Sequence, residues 1–510
     1  LRILFALLTV WLAVSVGITI VHSMHWPLVH DSPILLYMVY LSEHGMRLYR
    51  DIVEVQFPGS LLLYSLERHL LGPSDLAFRL FDLFGLAVAF TSMLVITRRR
   101  GLWFASVFGI SFFVLEHTGT WAGIINLGQR DFYMTCLLGA GVALLLESFH
   151  RQRPLLILFF GLSVALASTI KPTAIVFILL VLPLILALRK RQLPLRSYLG
   201  YLLAGFAAGF AVIFAYLLYE KAVGAFLNLE WTMVPVYATT ASRSFLEILP
   251  AIFEPIHVLP ELAIGSLLLV ALQPALRDDL DQQTLLLATV LGAASFFLQH
   301  KGFTYHRLPF YYFFFLWAAW VLVATARQST ASYRWLALAL LLFSSAIYPR
   351  LSRPATWDRW NEGALQSDLT ALHASDAPGE VQCLDVTSGC LNVLLHMNLT
   401  MATGYVNDTV FFLDRNDARV EHLRDDFLAQ LKKSNPRIII LTNEQWPTFG
   451  ARGYDKLQFW PQFTDLLNQN YILSIQRGGD AQHERGYRIY LRRDTPAATP
   501  LTLKPASLSR

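Results

Sequence analysis

The sequence is short of charge. Only 15% of its 510 residues are Asp, Glu, Lys or Arg, against 55% hydrophobic, and the mean hydropathy is +0.46. Soluble domains carry roughly 25% charged residues, so a water-soluble globule is excluded for most of this chain. The deficit is uneven, because long apolar blocks fill residues 1–349 and ordinary mixed sequence follows. Cysteine is scarcer still: the three present fit no metal-site spacing. Cys136 sits in an apolar block. Cys383 and Cys390 share the mixed tail, where a local disulfide is open to them if that tail lies outside the cytoplasm. No small-residue cleavage pattern follows residues 3–22, so this first apolar block reads as a membrane span rather than a signal peptide. An internal repeat strong enough to use is also missing.

What is there is a series of apolar segments at 3–22, 75–97, 102–119, 132–149, 155–170, 173–188, 198–219, 258–273, 284–299, 309–326 and 333–349. Each approaches the length that crosses about 30 Å of hydrocarbon, which predicts a polytopic α-helical membrane protein of about 11 spans. Segments 155–170 and 173–188 could instead form one bent pair. The net charge of +5 could suggest nucleic acid, but the basic residues fall in short loops between spans. Arg98 to Arg100, Arg151 with Arg153, Arg189 to Arg191 with Arg196, Arg277, and Arg327 with Arg334 all fall on one side of an alternating thread. The positive-inside rule makes that side cytoplasmic. The first loop (23–74), the loops at 120–131, 220–257 and 300–308, the Lys171 turn and everything after residue 350 then face outward.

The predicted domains are a transmembrane domain at 1–350, an extracytoplasmic α/β domain at 351–493 and a disordered tail at 494–510. Within the first outer loop, residues 32–44 and 59–71 are apolar but too short to span, and they read as helices lying in the membrane interface. An extended linker closed by Pro58 and Gly59 joins them. Between 351 and 493, strand-like runs at 381–386, 437–443, 471–476 and 487–493 alternate with helical ones at 422–434 and 454–469. Asn398 and Asn407 open glycosylation sequons by spelling alone.

Sorted by side, the polar residues at span ends make a pattern. The outer face holds His30, Asp31, Asp51, Glu54, Gln129, Arg130, Asp131, Lys171, Arg243, and Gln299, His300 and Lys301 through Tyr305, His306 and Arg307. The cytoplasmic face holds mainly the Arg and Lys that insertion requires. Ionisable groups close to hydrocarbon cost a few kcal/mol unless they are paired or functional, so acids and bases converging on one face suggest a site. The ordinary alternative for each is a solvated charge or a structural pair, and for Lys171 a lysine snorkelling from a turn to the headgroups. Asp31, one acid between an apolar span and an apolar helix, has the least structural excuse.

Four stretches carry a family likeness. Asp31 after the first span with GMRLYRD (45–51) and FPG (57–59) resembles the first outer loop of the GT-C superfamily of integral membrane glycosyltransferases. The likeness is nearer to its protein O-mannosyltransferase and lipid A aminoarabinose transferase branch. LGQRDFYM (127–134) is similar to the family's second acidic motif, STIKPTA (168–174) to its lysine turn, and FTYHRLPF (303–310) to its late aromatic-His-Pro loop. The sequence departs from the pattern in having a lone HDSP acid instead of paired acids, and FPG instead of a double proline.

The resemblance implies a GT-C-like fold and an inverting glycosyltransferase of the cell envelope. A sugar on a polyprenyl phosphate would pass to a hydroxyl of a lipid, glycan or protein at the outer face of a bacterial-type cytoplasmic membrane. A hydroxyl is a weak nucleophile until its proton is being removed, which assigns Asp31 as base and Asp131 as a second catalytic acid that orients the acceptor or pairs with a cation. Charge developing on the leaving phosphate needs cations, a role for Lys171, Arg130, Lys301 and Arg307, with His306 bonding phosphate or sugar. Tyr49, Glu54 and Tyr305 are candidates for substrate contacts. No ligand cluster calls for a metal, although acids on several loops leave a divalent cation open. Two other functions fit the same composition: a transporter or flippase of a lipid-linked or anionic solute, and a polysaccharide ligase or polymerase using a diphosphate-linked donor. Transporters tend to show repeated halves and sites at the midplane, and such a ligase a long outer loop with paired arginines. The 220–257 loop has only Lys221 and Arg243.

Overall fold

The structure is a computed structural model, and it describes residues 1–119, 123–239, 242–253, 258–328, 331–352, 360–375, 377–385, 389–413, 416–443, 453–478 and 486–494. The predicted disordered tail, apart from residue 494, lies outside the described residues. The chain divides into two compact units. The first comprises Leu1–Pro27, Gln56–Tyr219 and Ala241–Trp357, and the second Leu28–Val55, Glu220–Thr240 and Asp358–Arg510.

In the first unit every apolar block named above is helical: Arg2–Ser23, Asp75–Arg98, Trp103–Thr118, Arg130–His150, Leu155–Ile170, Leu195–Tyr219, Leu259–Leu272, Leu280–Leu298, Leu308–Gln328 and Ala331–Leu351, with Pro172–Leu180 a 3-10 helix continued by the α-helix Val181–Lys190. Among the described residues, 6 helices are long and apolar enough to cross a membrane, and Trp103–Thr118, Leu155–Ile170 and Leu259–Leu272 are shorter apolar helices. Helix Leu308–Gln328 is apolar on all sides and buried from Leu308 to Ala326, which makes it the centre of the bundle. Helix Arg2–Ser23 instead exposes Ile3, Leu7, Val10, Val14, Ile18 and Val21. Their three- and four-residue spacing draws an apolar stripe, and only lipid would solvate it well.

The basic loops gather at one end of this bundle. Arg98 and Arg99 reach Glu147 at 3.1 and 2.9 Å, Arg151 bonds the same carboxylate, Arg100 pairs with Asp279, and Arg327 donates to the carbonyl of Gly101. Helix Arg130–His150 has this end at its C-terminus. Its 21 residues put Arg130 about 30 Å away, at 1.5 Å per residue. One membrane thickness therefore separates the arginine loops from the Arg130 end.

The second unit is built on a four-stranded sheet of order β1-β2-β4-β3, with β1 Val381–Leu384, β2 Ile438–Thr442, β3 Tyr471–Arg477 and β4 Tyr487–Arg492. All four coincide with the strand-like runs in the sequence. β1 and β2 are parallel, and the crossover between them contains helix Ala418–Ser434. β4 is antiparallel to both β2 and β3. β2, four apolar residues followed by Thr442, is buried at every position. Cys383 and Cys390 are joined by a disulfide.

The first outer loop contributes helices Asp31–Glu43 and Pro58–Leu71, close to the two expected. Only the second keeps an exposed apolar edge, formed by Leu66, Leu70 and Leu71. Helix Asp31–Glu43 departs from the interfacial reading, because it is buried at every residue from Ser32 to Leu41. Tyr37 Oη donates to Leu399 O at 2.7 Å and accepts from Met401 N at 3.0 Å. The physical reason is visible in the sequence: eight consecutive apolar residues from Ile34 to Leu41 leave no polar face for a headgroup layer.

Candidate active site

At the Arg130 end of the first unit, three segments far apart in sequence meet. Helix Leu155–Ile170 stops at Lys171 because Pro172 follows, and proline pushes its predecessor out of the helical region; Lys171 is extended, at φ −150° and ψ 118°. Helix Pro58–Leu71 abuts this stop. A Cβ on Gly59 would lie 2.4 Å from Thr169 Oγ1 and 2.7 Å from the Thr169 carbonyl carbon, so the glycine of FPG is what lets the two helices touch. Ser60 Oγ then donates to the carbonyl of Ile170 at 3.3 Å. The Pro-Gly motif thus braces the lysine turn.

Lys171 Nζ donates to Asp131 Oδ2 at 2.6 Å. The lysine side chain is 13% exposed and the aspartate is fully buried. Asp131 sits in the first turn of helix Arg130–His150, where the helix dipole favours a negative charge. Its second oxygen, Oδ1, is buried with no hydrogen-bond partner among the described residues. Lys171 Nζ also stands 5.6 Å above the ring of Tyr305, and that ring meets His306 edge-on at 4.7 Å. Arg130 Nη1 donates to Gln56 Oε1. Asp131, Lys171, Tyr305 and His306 therefore form one continuous cluster, and Arg130 precedes Asp131 in the same helix turn. A half-buried lysine on a buried carboxylate, with an arginine next to that carboxylate in sequence, can hold a further anionic oxygen.

Lys301 and Arg307 flank the late loop differently. Lys301 is buried, and burial pulls its ammonium down to about 8. Arg307 is committed to the bundle: Nε donates to the carbonyl of Thr304 at 3.1 Å, Nη1 to that of Ala251, and Nη2 lies 3.9 Å from Glu116. Its charge already has an internal counterpart.

Asp31, Tyr49 and Glu54 belong to the second unit. Asp31 opens helix Asp31–Glu43 and faces His30 Nδ1 at 2.9 Å, with its side chain 15% exposed. His30 takes a positive φ of 62° to bring the ring back over the acid. Tyr49 is buried edge-on against Phe226, with centroids 5.0 Å apart. Glu54 is buried, and its charge adds to burial in raising Glu230 to about 7.

Several buried ionisable residues of the first unit stand outside the pattern of span ends, among them Arg79, Asp82, Glu116 and His117. They lie inside apolar blocks, whereas the search by loop side took only residues at span ends. A charge inside a span is itself a signal of function, and that signal would have found them. Among the described residues no group of three or more His, Cys, Asp and Glu is gathered as a metal site.

The fold is similar to that of two solved structures of ArnT. The structure of ArnT from Cupriavidus metallidurans in the apo state matches with a TM-score of 0.53 at 15% identity, covering 94% of this chain and 97% of that one. ArnT bound to undecaprenyl phosphate matches with a TM-score of 0.51 at 15% identity, covering 96% and 97%. The archaeal oligosaccharyltransferase AglB from Archaeoglobus fulgidus, in complex with an inhibitory peptide and a dolichol-phosphate, follows at 0.48 and 10% identity, covering 85% and 69%. No protein-family model matches the sequence, and no curated protein does.

Proposed function

We propose that this protein is an inverting glycosyltransferase that moves a sugar from a polyprenyl phosphate to a hydroxyl acceptor. The observation that carries the reading is the Lys171–Asp131 pair at 2.6 Å, its carboxylate fully buried, with Arg130 next in sequence. It stands one membrane thickness from the arginine loops, in a fold shared with ArnT over nearly the whole chain. Lys171, Arg130 and Lys301 take the lipid phosphate, Asp131 holds Lys171 charged and in place, and His306 and Tyr305 line the phosphate or sugar. Arg307, balanced by Glu116, drops to a supporting role.

Asp31 keeps the role of base. The acceptor hydroxyl gives its proton to the Asp31 carboxylate as its oxygen bonds the anomeric carbon; the bond from that carbon to the phosphate oxygen breaks, and lipid phosphate departs. Tyr49 and Glu54 are assigned to substrate contacts. The active face is taken as the outer one, supported by the arginine-rich opposite end; for the tail domain, an extracytoplasmic place is supported by the Cys383–Cys390 disulfide, a bond of oxidising compartments. The bacterial cytoplasmic membrane, an extracytoplasmic tail domain and about 11 spans belong to the same reading. The test is reconstitution in bilayers with candidate polyprenyl phosphate sugars, scoring acceptor-dependent release of lipid phosphate. Asp31→Asn should fold and lose turnover. Normal turnover by that variant would end the base assignment, and coupled solute uptake without sugar transfer would favour a transporter.

A further inference from the structure

A second cluster of charge lies inside the apolar bundle of the first unit. Arg79, Asp82 and His117 are 2%, 0% and 0% exposed. Asp82 uses both oxygens. Oδ2 pairs with Arg79 Nη1, and Arg79 Nη2 donates to Ser23 Oγ at 2.7 Å. Oδ1 accepts from His117 Nε2 at 2.8 Å and from the backbone N–H of Gly128 at 3.2 Å. A simple helix-to-helix staple would have no need of that last bond, which reaches out of the bundle to the turn leading into Arg130 and Asp131.

That turn is held from every side. The carbonyl of Gly128 accepts from Tyr64 Oη, so the residue is fixed at both its backbone groups. Gly128 has φ +63°, and a Cβ there would sit 1.9 Å from Phe78 Cζ, so neither the conformation nor the space admits another residue. On the far side of Asp131, the ring of Phe132 stacks on His117 with centroids 4.0 Å apart and planes 13° apart. Asp82 therefore grips the segment before Asp131 directly and the residue after it through His117. Burying three ionisable groups is costly, and such groups inside spans are retained for function. Here the buried carboxylate has a second task besides neutralising Arg79.

We propose that Asp82 is a positioning residue: with His117 and Arg79 it fixes the Gly128–Phe132 segment, and thereby sets where Asp131 presents Lys171. This rests on the Asp131–Lys171 pair being the phosphate site proposed above. Asp82 itself touches none of the reacting groups.

The test uses the full chain in nanodiscs and two double variants, so that no guanidinium is left unpaired. Arg79→Gln/Asp82→Asn removes both charges and keeps an oxygen facing Gly128 N–H; Arg79→Gln/Asp82→Ala removes the oxygen too. The first should match wild type in amide hydrogen exchange of a peptide covering 124–133 and in kcat. The second should exchange there about tenfold faster and lose roughly a hundredfold in kcat with donor KM little changed, the cost of a misplaced group. If the alanine variant folds with wild-type exchange and kcat, the proposal is wrong. It is equally wrong if only the melting temperature falls. Should wild type transfer no sugar at all, the functional reading fails, and the exchange arm still decides whether Asp82 holds the turn.

Discussion

Lys171→Met separates the two tasks of the central pair. The charges approach to 2.6 Å, which at an effective dielectric near 20 corresponds to an attraction of about 6 kcal/mol. Desolvation of both groups offsets much of that, so the measurable quantity is the cost of breaking the pair from one side, about 3–5 kcal/mol for buried ions. Asp131, fully buried, would be left as an uncompensated carboxylate. Lys171→Met should therefore lower the melting temperature clearly, and Asp131→Asn/Lys171→Met should recover most of the loss. Donor binding should behave otherwise. A charged hydrogen bond from Nζ to lipid phosphate is worth about 1.5–3 kcal/mol, or roughly 10- to 150-fold in Kd, and the double variant cannot restore it. Intrinsic tryptophan fluorescence can follow both melting and titration with a polyprenyl phosphate in nanodiscs. A folded Lys171→Met protein with unchanged Kd would refute the phosphate role. A double variant no more stable than the single would refute the pair as a stabilising unit.

Two further outcomes follow from named contacts. Gly59→Ala drives a methyl into the Thr169 backbone and hydroxyl and should cost about 1–3 kcal/mol by overpacking; removing the hydroxyl with Thr169→Ala should restore only part of it, as thermal melts can show. Glu67 is buried with no hydrogen-bond partner on either oxygen among the described residues, and burial pushes it up to about 8 despite the neighbouring Arg68. The folded protein then binds more protons than the unfolded chain between its ordinary value of 4.5 and about 8. Stability should fall as pH rises through that window and level off above it, whereas Glu67→Gln, an isostere of the neutral acid, should remove this loss; equal pH profiles for the two proteins would contradict it.

The sequence announced elements better than it announced neighbours. Apolar block length located the bundle helices, and short strand-like runs located all four strands, because each signal is local. The reading of residues 32–44 as interfacial erred on a point that was itself local: a run with no polar face belongs inside a protein, and it packs beside Leu399 and Met401. What could not be read was which charges meet. Lys171 and Asp131 stand 40 residues apart, and Arg307 and Lys171 looked alike as outward cations until their partners separated them.

Partners, more than positions, decide what each charge can do. Arg307 spends its guanidinium on Glu116 and two carbonyls, so an arriving phosphate would have to compete with contacts already made in a dry interior. Lys171 instead has its ammonium on the Asp131 carboxylate, an ion pair that a second anion can share. Asp131, in turn, retains an oxygen with no hydrogen-bond partner among the described residues. A pair of this kind is electrically quiet while empty and can reorganise around an anion without moving the backbone, provided the backbone is held. Gly128 and Phe132, gripped by Tyr64, Asp82 and His117, supply that condition. The buried triad, silent in any survey of loops, thus explains why so polar a corner can remain ordered at the edge of an apolar bundle.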